Sequence, residues 1–121
     1  MTQEGIEDLN RDGYLSHGST IRMGRPFLNE LFHVHPYLLM SSITVPTLTI
    51  HGTEDNMVPY EVARSYHQVS APSEFLSIEG ADHGFTVHGD EDYSDPQTRV
   101  WQQTAFDATV RWILKFTPLM R

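Results

Sequence analysis

The chain has 121 residues, 39% of them hydrophobic, which is enough for one domain with a packed core. A formal net charge of −8, with eight scattered Lys and Arg, excludes the basic face that nucleic-acid phosphates require. The lack of any cysteine excludes a disulfide framework, a thiolate zinc site and a cysteine nucleophile within these residues. No apolar run approaches the ~18 residues needed to cross a bilayer. The acidic start, Met1-Thr-Gln-Glu-Gly-Ile-Glu-Asp-Leu9, lacks the basic and apolar parts of a signal peptide. The expectation is a soluble, cytoplasmic protein with no membrane partner.

Residues 1–12 are polar and read as a frayed or loosely attached segment. From Gly13 to Gly24 the pattern predicts two short strands turning at His17-Gly18-Ser19, where glycine supplies the positive φ of a hairpin. Arg25–His33 reads as a short helix with Pro26 in its first turn and an apolar face of Phe27, Leu28, Leu31 and Phe32. His35-Pro36 opens a second short helix through Met40.

The next residues alternate two kinds of element. Thr47–Ile50 is a short β-rich run ending in His51-Gly52 and a polar loop. Tyr60–Val69 is helical, with Pro59 before it and Glu61 where the helix dipole favours negative charge. Glu74–Ile78 is a second strand, which makes a βαβ unit with a parallel pair and a right-handed crossover. A closing helix follows, capped by Ser94 or Asp95 and begun by Pro96. Trp101, Ala105, Ala108, Trp112 and Phe116 place one broad stripe toward a core, and Pro118 stops the helix. Two parallel strands do not make a stable sheet alone. The chain therefore reads as the C-terminal part of a larger α/β domain. Its expected division is a tail and cap-like segment over 1–40 and a βαβα part over 41–121.

The chemistry concentrates in two loops. Val45-Pro-Thr-Leu-Thr-Ile-His-Gly-Thr-Glu-Asp-Asn-Met-Val-Pro59 reads as a strand delivering a carboxylate, Asp55. Gly80-Ala-Asp-His-Gly-Phe85 delivers an imidazole, His83, after a second strand and 28 residues later. An ionised carboxylate at a strand end accepts the Nδ1–H of an imidazole, fixes its tautomer and stabilises the imidazolium formed in catalysis. Gly52, Gly80 and Gly84 supply the turns that bring the loops together. The competing reading of Asp55 is a turn or helix-cap residue. Glu54 and Asp82 read as solvated neighbours, and His51 as a loop-packing residue.

A metal site among His83, His88, Asp90, Glu91, Asp92 and Asp95 is less favoured than an acidic, solvated loop. The spacing matches neither His-Glu-x-x-His nor a calcium-binding loop. No cofactor is implied.

With these motifs in hand, the stretch from Gly13 to Arg121 resembles the C-terminal portion of an α/β-hydrolase. It is most similar to the cinnamoyl/feruloyl-esterase and dienelactone-hydrolase-like branch, and also to prolyl-oligopeptidase-type catalytic domains. The resemblance implies chain order nucleophile, acid, histidine, with Asp55 as the acid and His83 as the base. It also implies a serine hydrolase acting on a small-molecule carboxylic ester. No serine sits in the Gly-x-Ser-x-Gly frame the family uses: Ser16 precedes His17-Gly18, but position 14 is Tyr14. The nucleophile is therefore expected outside these residues, in an N-terminal hydrolase half or supplied through self-association. By the same resemblance residues 13–40 match a cap or insertion, in which Tyr14, Leu15, Phe27, Phe32 and Tyr37 either line an acyl pocket or pack the cap. The alternatives are a peptidase fragment and a non-catalytic interaction module.

Overall fold

A computed structural model describes residues 2–17, 20–69 and 72–117, and the chain divides into two compact units, Met1–Pro36 and Tyr37–Arg121. The first unit opens with helix α1, Gln3–Asp12. Here the expectation of a frayed tail fails. Thr2 Oγ1 accepts from Gly5 N at 3.2 Å at the N-terminus, and Gly13 closes the helix at φ 79° with its N–H on Leu9 O. Leu9 is buried, and Arg25 Nη2 donates to Leu9 O and Asn10 Oδ1, both at 3.0 Å. The segment is polar because most of it faces water, not because it lacks structure.

Strands β1, Tyr14–His17, and β2, Ile21–Gly24, pair antiparallel from Tyr14↔Gly24 to His17↔Ile21. The predicted turn residues Gly18 and Ser19 lie outside the described residues. Helix α2, Arg25–Leu31, begins with proline in its first turn as expected. Of its apolar face, only Leu28 is buried, whereas Phe27, Leu31 and Phe32 are each at least half exposed.

Helix α3, Pro36–Ser41, leads into the second unit, where Tyr37 meets Tyr66 edge to face at 5.8 Å. Strand β3, Thr47–Gly52, helix α4, Tyr60–Val69, and strand β4, Ser73–Ile78, form the predicted βαβ unit. The strands are parallel and in register from Thr47↔Ser73 to Gly52↔Ile78. Helix α5, Pro96–Leu114, is capped by Asp95, whose carboxylate accepts from Gln97 N at 2.7 Å. Its apolar stripe is shorter than expected. The helix ends at Leu114, two residues before Phe116, which is half exposed and meets Trp112 edge to face at 5.0 Å.

The core of this unit is small. Ile78, Ala81 and Ala105 are buried, with Ile50, Phe85 and Trp101 packed around them. Burying a side chain the size of Ile78 contributes roughly 2 kcal/mol, so this cluster alone is a slender anchor. Among the described residues each strand of the parallel pair has one neighbour, which leaves both edges of the sheet unpaired. No helix among the described residues is long and apolar enough to cross a membrane.

Candidate active site

The two strands end together, and their C-terminal loops meet. Gly52 is the reason they can. A Cβ there would lie 2.1 Å from the carbonyl oxygen of Ala81, so only glycine lets the end of β3 pass over the chain that leaves β4. Glu54 N donates to the same Ala81 O at 3.1 Å, and Gly80 N donates to Thr53 Oγ1 at 2.8 Å. These bonds join the Asp55 loop to the His83 loop through one main-chain bond and one short hydroxyl side chain.

Asp55 and His83 come together as the sequence predicts. His83 Nδ1 lies 3.0 Å from Asp55 Oδ2 and 3.3 Å from Oδ1. The Asp55 side chain is 5% exposed, whereas that of His83 is 50% exposed. The carboxylate is thus held inside and the imidazole is presented to solvent. Asp55 Oδ1 also accepts from Met57 N at 2.9 Å and Val58 N at 2.8 Å. The carboxylate thus makes both the turn contacts and the imidazole contact. One oxygen closes the loop as an Asx turn, and the other faces the imidazole.

Burial pushes the Asp55 carboxyl up, but the Val58 N–H, the His83 imidazole and the Met57 N–H outweigh it and hold the pKa below the usual carboxylate range. Ionised, it can only accept, so a neutral His83 presents Nδ1–H to it and leaves Nε2 as the basic nitrogen. Among the described residues no hydrogen bond reaches that Nε2. On the far side, His51 Nε2 lies 2.8 Å from Val58 O and 3.4 Å from Asp55 Oδ2, so His51 braces the acid loop from behind.

His83 sits in a one-turn 3₁₀ segment, His83–Phe85. Gly84 and Phe85 both take left-handed backbone, at φ 72° and 59°, and Phe85 does so without the freedom of glycine. The turn is stapled by Asp82 N to Thr86 O at 2.8 Å and by Gln102 Nε2 to Gly84 O at 3.1 Å. An open cleft of about 490 Å³ lies beside the imidazole, lined in part by Met57, Thr86 and Tyr93.

Asp82 is not the solvated neighbour that its sequence position suggests. It is 5% exposed and accepts from His83 N, Asn56 N and Asn56 Nδ2, with His88 Nδ1 2.7 Å away. Glu54 is exposed, as expected. In the acidic loop, Asp90 accepts from Ser94 N at 2.9 Å, Asp95 N at 3.2 Å and Thr98 Oγ1 at 2.6 Å. Its oxygens therefore organise the entry to α5. No group of three or more potential ligands among the described residues is placed to hold a metal. Of the suggested pocket aromatics, Tyr14 lies in the first unit with the Arg22 guanidinium 4.8 Å from its ring centre. Leu15, Phe27 and Phe32 belong to that same unit, and Tyr37 to the second. Among the described residues no serine lines the cleft beside His83.

No family model matches the sequence. Over 70 residues, 53% of the chain, it is 36% identical to non-reducing polyketide synthase Preu6 of Preussia isomera. Over 100 residues, 77% of the chain, it is 28% identical to 5-methylorsellinic acid synthase of Aspergillus terreus. The aligned stretches amount to 3% and 4% of those synthases, so they match a small piece of much longer proteins. Among solved structures, Est1E from Butyrivibrio proteoclasticus is similar with ferulic acid bound (TM-score 0.56) and in a second structure of the same protein (TM-score 0.57). Both likenesses cover 81% of the chain at 16% identity, and 37% and 38% of Est1E. At that identity the likeness speaks for architecture. The chain has a partial α/β-hydrolase fold.

Proposed function

We propose that this chain supplies the acid and the histidine of a serine α/β-hydrolase that cleaves carboxylic esters. The observation that carries the reading is the buried Asp55 carboxylate 3.0 Å from Nδ1 of a half-exposed His83. In this reading His83 Nε2 takes the proton from a serine hydroxyl as the hydroxyl attacks the acyl carbon. It then returns a proton to the departing alcohol oxygen, while Asp55 stabilises the imidazolium between the two steps. The serine and the oxyanion donors belong to a segment outside the described residues, consistent with a likeness that spans only 37% of Est1E.

The substrate class follows from two names. Est1E holds ferulic acid, and one relative is a synthase of 5-methylorsellinic acid. Both are carboxylic acids that carry a phenol ring, which favours an acyl group bearing a phenol, joined through an ester or thioester.

The test uses a p-nitrophenyl ester of a short acid, an aryl ester and a peptide p-nitroanilide. Each is offered to the chain alone and to the chain combined with a segment bearing a Gly-x-Ser-x-Gly elbow. Turnover only in the combination, abolished by His83→Ala, is expected. Turnover by the chain alone that survives His83→Ala would overturn the reading, and cleavage of a peptide but not an ester would replace it with a peptidase.

A further inference from the structure

We propose that Asp82 is a positioning residue that clamps the acid loop to the histidine loop and thereby sets the Asp55–His83 geometry. This inference rests on the assignment of that pair as acid and base.

The carboxylate joins both loops at once. Its Oδ1 accepts from His83 N at 2.7 Å and from Asn56 N at 2.9 Å. Its Oδ2 accepts from Asn56 Nδ2 at 2.9 Å and lies 2.7 Å from His88 Nδ1. Asn56 directly follows the acid, and His83 directly follows Asp82. One oxygen thus ties the main chain next to Asp55 to the main chain of His83 itself. A side chain that is 7% exposed is screened little, and its bonds carry a charge. Two of the donors are backbone N–H groups, which cannot rotate away.

The direction of the carboxylate separates this role from a local one. An aspartate that merely capped the turn at His83 would bond only His83 N, as an N-cap does. Three further donors, two of them on a residue 26 positions earlier, serve no turn. In Asp82→Asn the amide nitrogen in place of Oδ2 meets Asn56 Nδ2 donor to donor, and the bonds to the remaining oxygen lose their charge. Gly52, Thr53 and Glu54 still join the loops, and Met57 N and Val58 N still hold the Asp55 carboxylate, but none of these contacts reaches the main chain of His83.

The test reads the tautomer of His83 directly, because Nδ1–H is held only while the carboxylate of Asp55 stays within reach. The chain, labelled with ¹⁵N-histidine, is compared with Asp82→Asn, Asn56→Ala and Asp55→Asn by long-range ¹H–¹⁵N correlation at a pH where the imidazole is neutral. Asp82→Asn is expected to lower the Nδ1–H share of His83 by about twofold, and Asn56→Ala by less, since its backbone bond remains. The Trp101 indole signal reports that the fold persists. An unchanged His83 tautomer in Asp82→Asn, alongside a changed one in Asp55→Asn, would overturn the clamp and leave the pair intact. No change in Asp55→Asn would instead sink the pair. If Asp82→Asn fails to fold, Asn56→Ala decides alone: a wild-type tautomer there overturns the clamp.

Discussion

The loops above the sheet and the sheet itself are built to different degrees. In the loops, Asp55, Asp82 and Asp90 each hold several donors, and backbone contacts at Gly52 and Gly80 join the pieces. Beneath them, three buried residues and three partners form the core, both strand edges stand open, and large apolar side chains such as Phe106 are 64% exposed. Hydrogen-bond geometry is short-ranged and can be satisfied within a short stretch of chain. Hydrophobic burial is a sum over area and needs bulk on every side. Loops can therefore be densely hydrogen-bonded on a body whose core is small.

The contrast can be broken from either side. The largest effect is expected at the pair itself. In the presence of the segment that carries the nucleophile, His83→Ala or Asp55→Asn should each lower kcat by about 10⁴, measured on an aryl ester. Comparable losses singly and in the double variant would show that the two act as one unit. Next, Gly52→Ala should destabilise the second unit by roughly 3 kcal/mol or more, followed by urea denaturation. A methyl group cannot coexist with Ala81 O at its present distance, and main chain must move on both loops. A wild-type midpoint would show that the loops are less tightly joined than described.

A smaller effect is expected from pH. The carboxyls of Asp82 and Asp90 are held below the usual range, Asp82 chiefly by Asn56 N–H and His83 N–H, and Asp90 chiefly by Thr98. A carboxyl depressed in the folded state contributes stability that is fully present above its unfolded pKa of about 3.9 and is lost as pH falls through the lower folded value. Amide exchange at Asn56 and Ser94 should thus be flat above about pH 5 and accelerate once pH drops below about 4, beyond the intrinsic trend. Protection that instead weakens on raising the pH from 5 to 7 would contradict the assignment.

The smallest change in stability is expected on the open body. Phe106→Ser should shift the unfolding free energy by less than about 0.5 kcal/mol while reducing self-association of the isolated chain, read by light scattering. A monomer in both forms would mean that the exposed faces are tolerated by water.

Legibility divides along the same line. Periodicity placed β3, α4, β4 and α5 within a residue or two, because strand and helix patterns are local and Asp95-Pro96 and Pro59 punctuate them. Asp55 and His83 were readable because each follows a strand and the strands are parallel neighbours. Helix α1 was not read, although Thr2 and Gly13 frame it, since Ile6 and Leu9 are the only large apolar residues in it and the polar composition of the segment hides their helical spacing. Asp82 was misread for another reason. An aspartate beside an exposed histidine defaults to solvent unless distant donors converge on it, and the Asn56 contact exists only once the two loops have met.

Gly52 has a final consequence, for anyone who would remodel this site. The spacing of the two chain segments beneath the carboxylate and the imidazole is set where one peptide unit rests on another, with no side chain between them to lengthen, shorten or recolour. Substitution libraries aimed at side chains other than Asp82 and Asn56 will alter what approaches the site but not this backbone gauge. To change that gauge, residues must be inserted or deleted in the segments on either side.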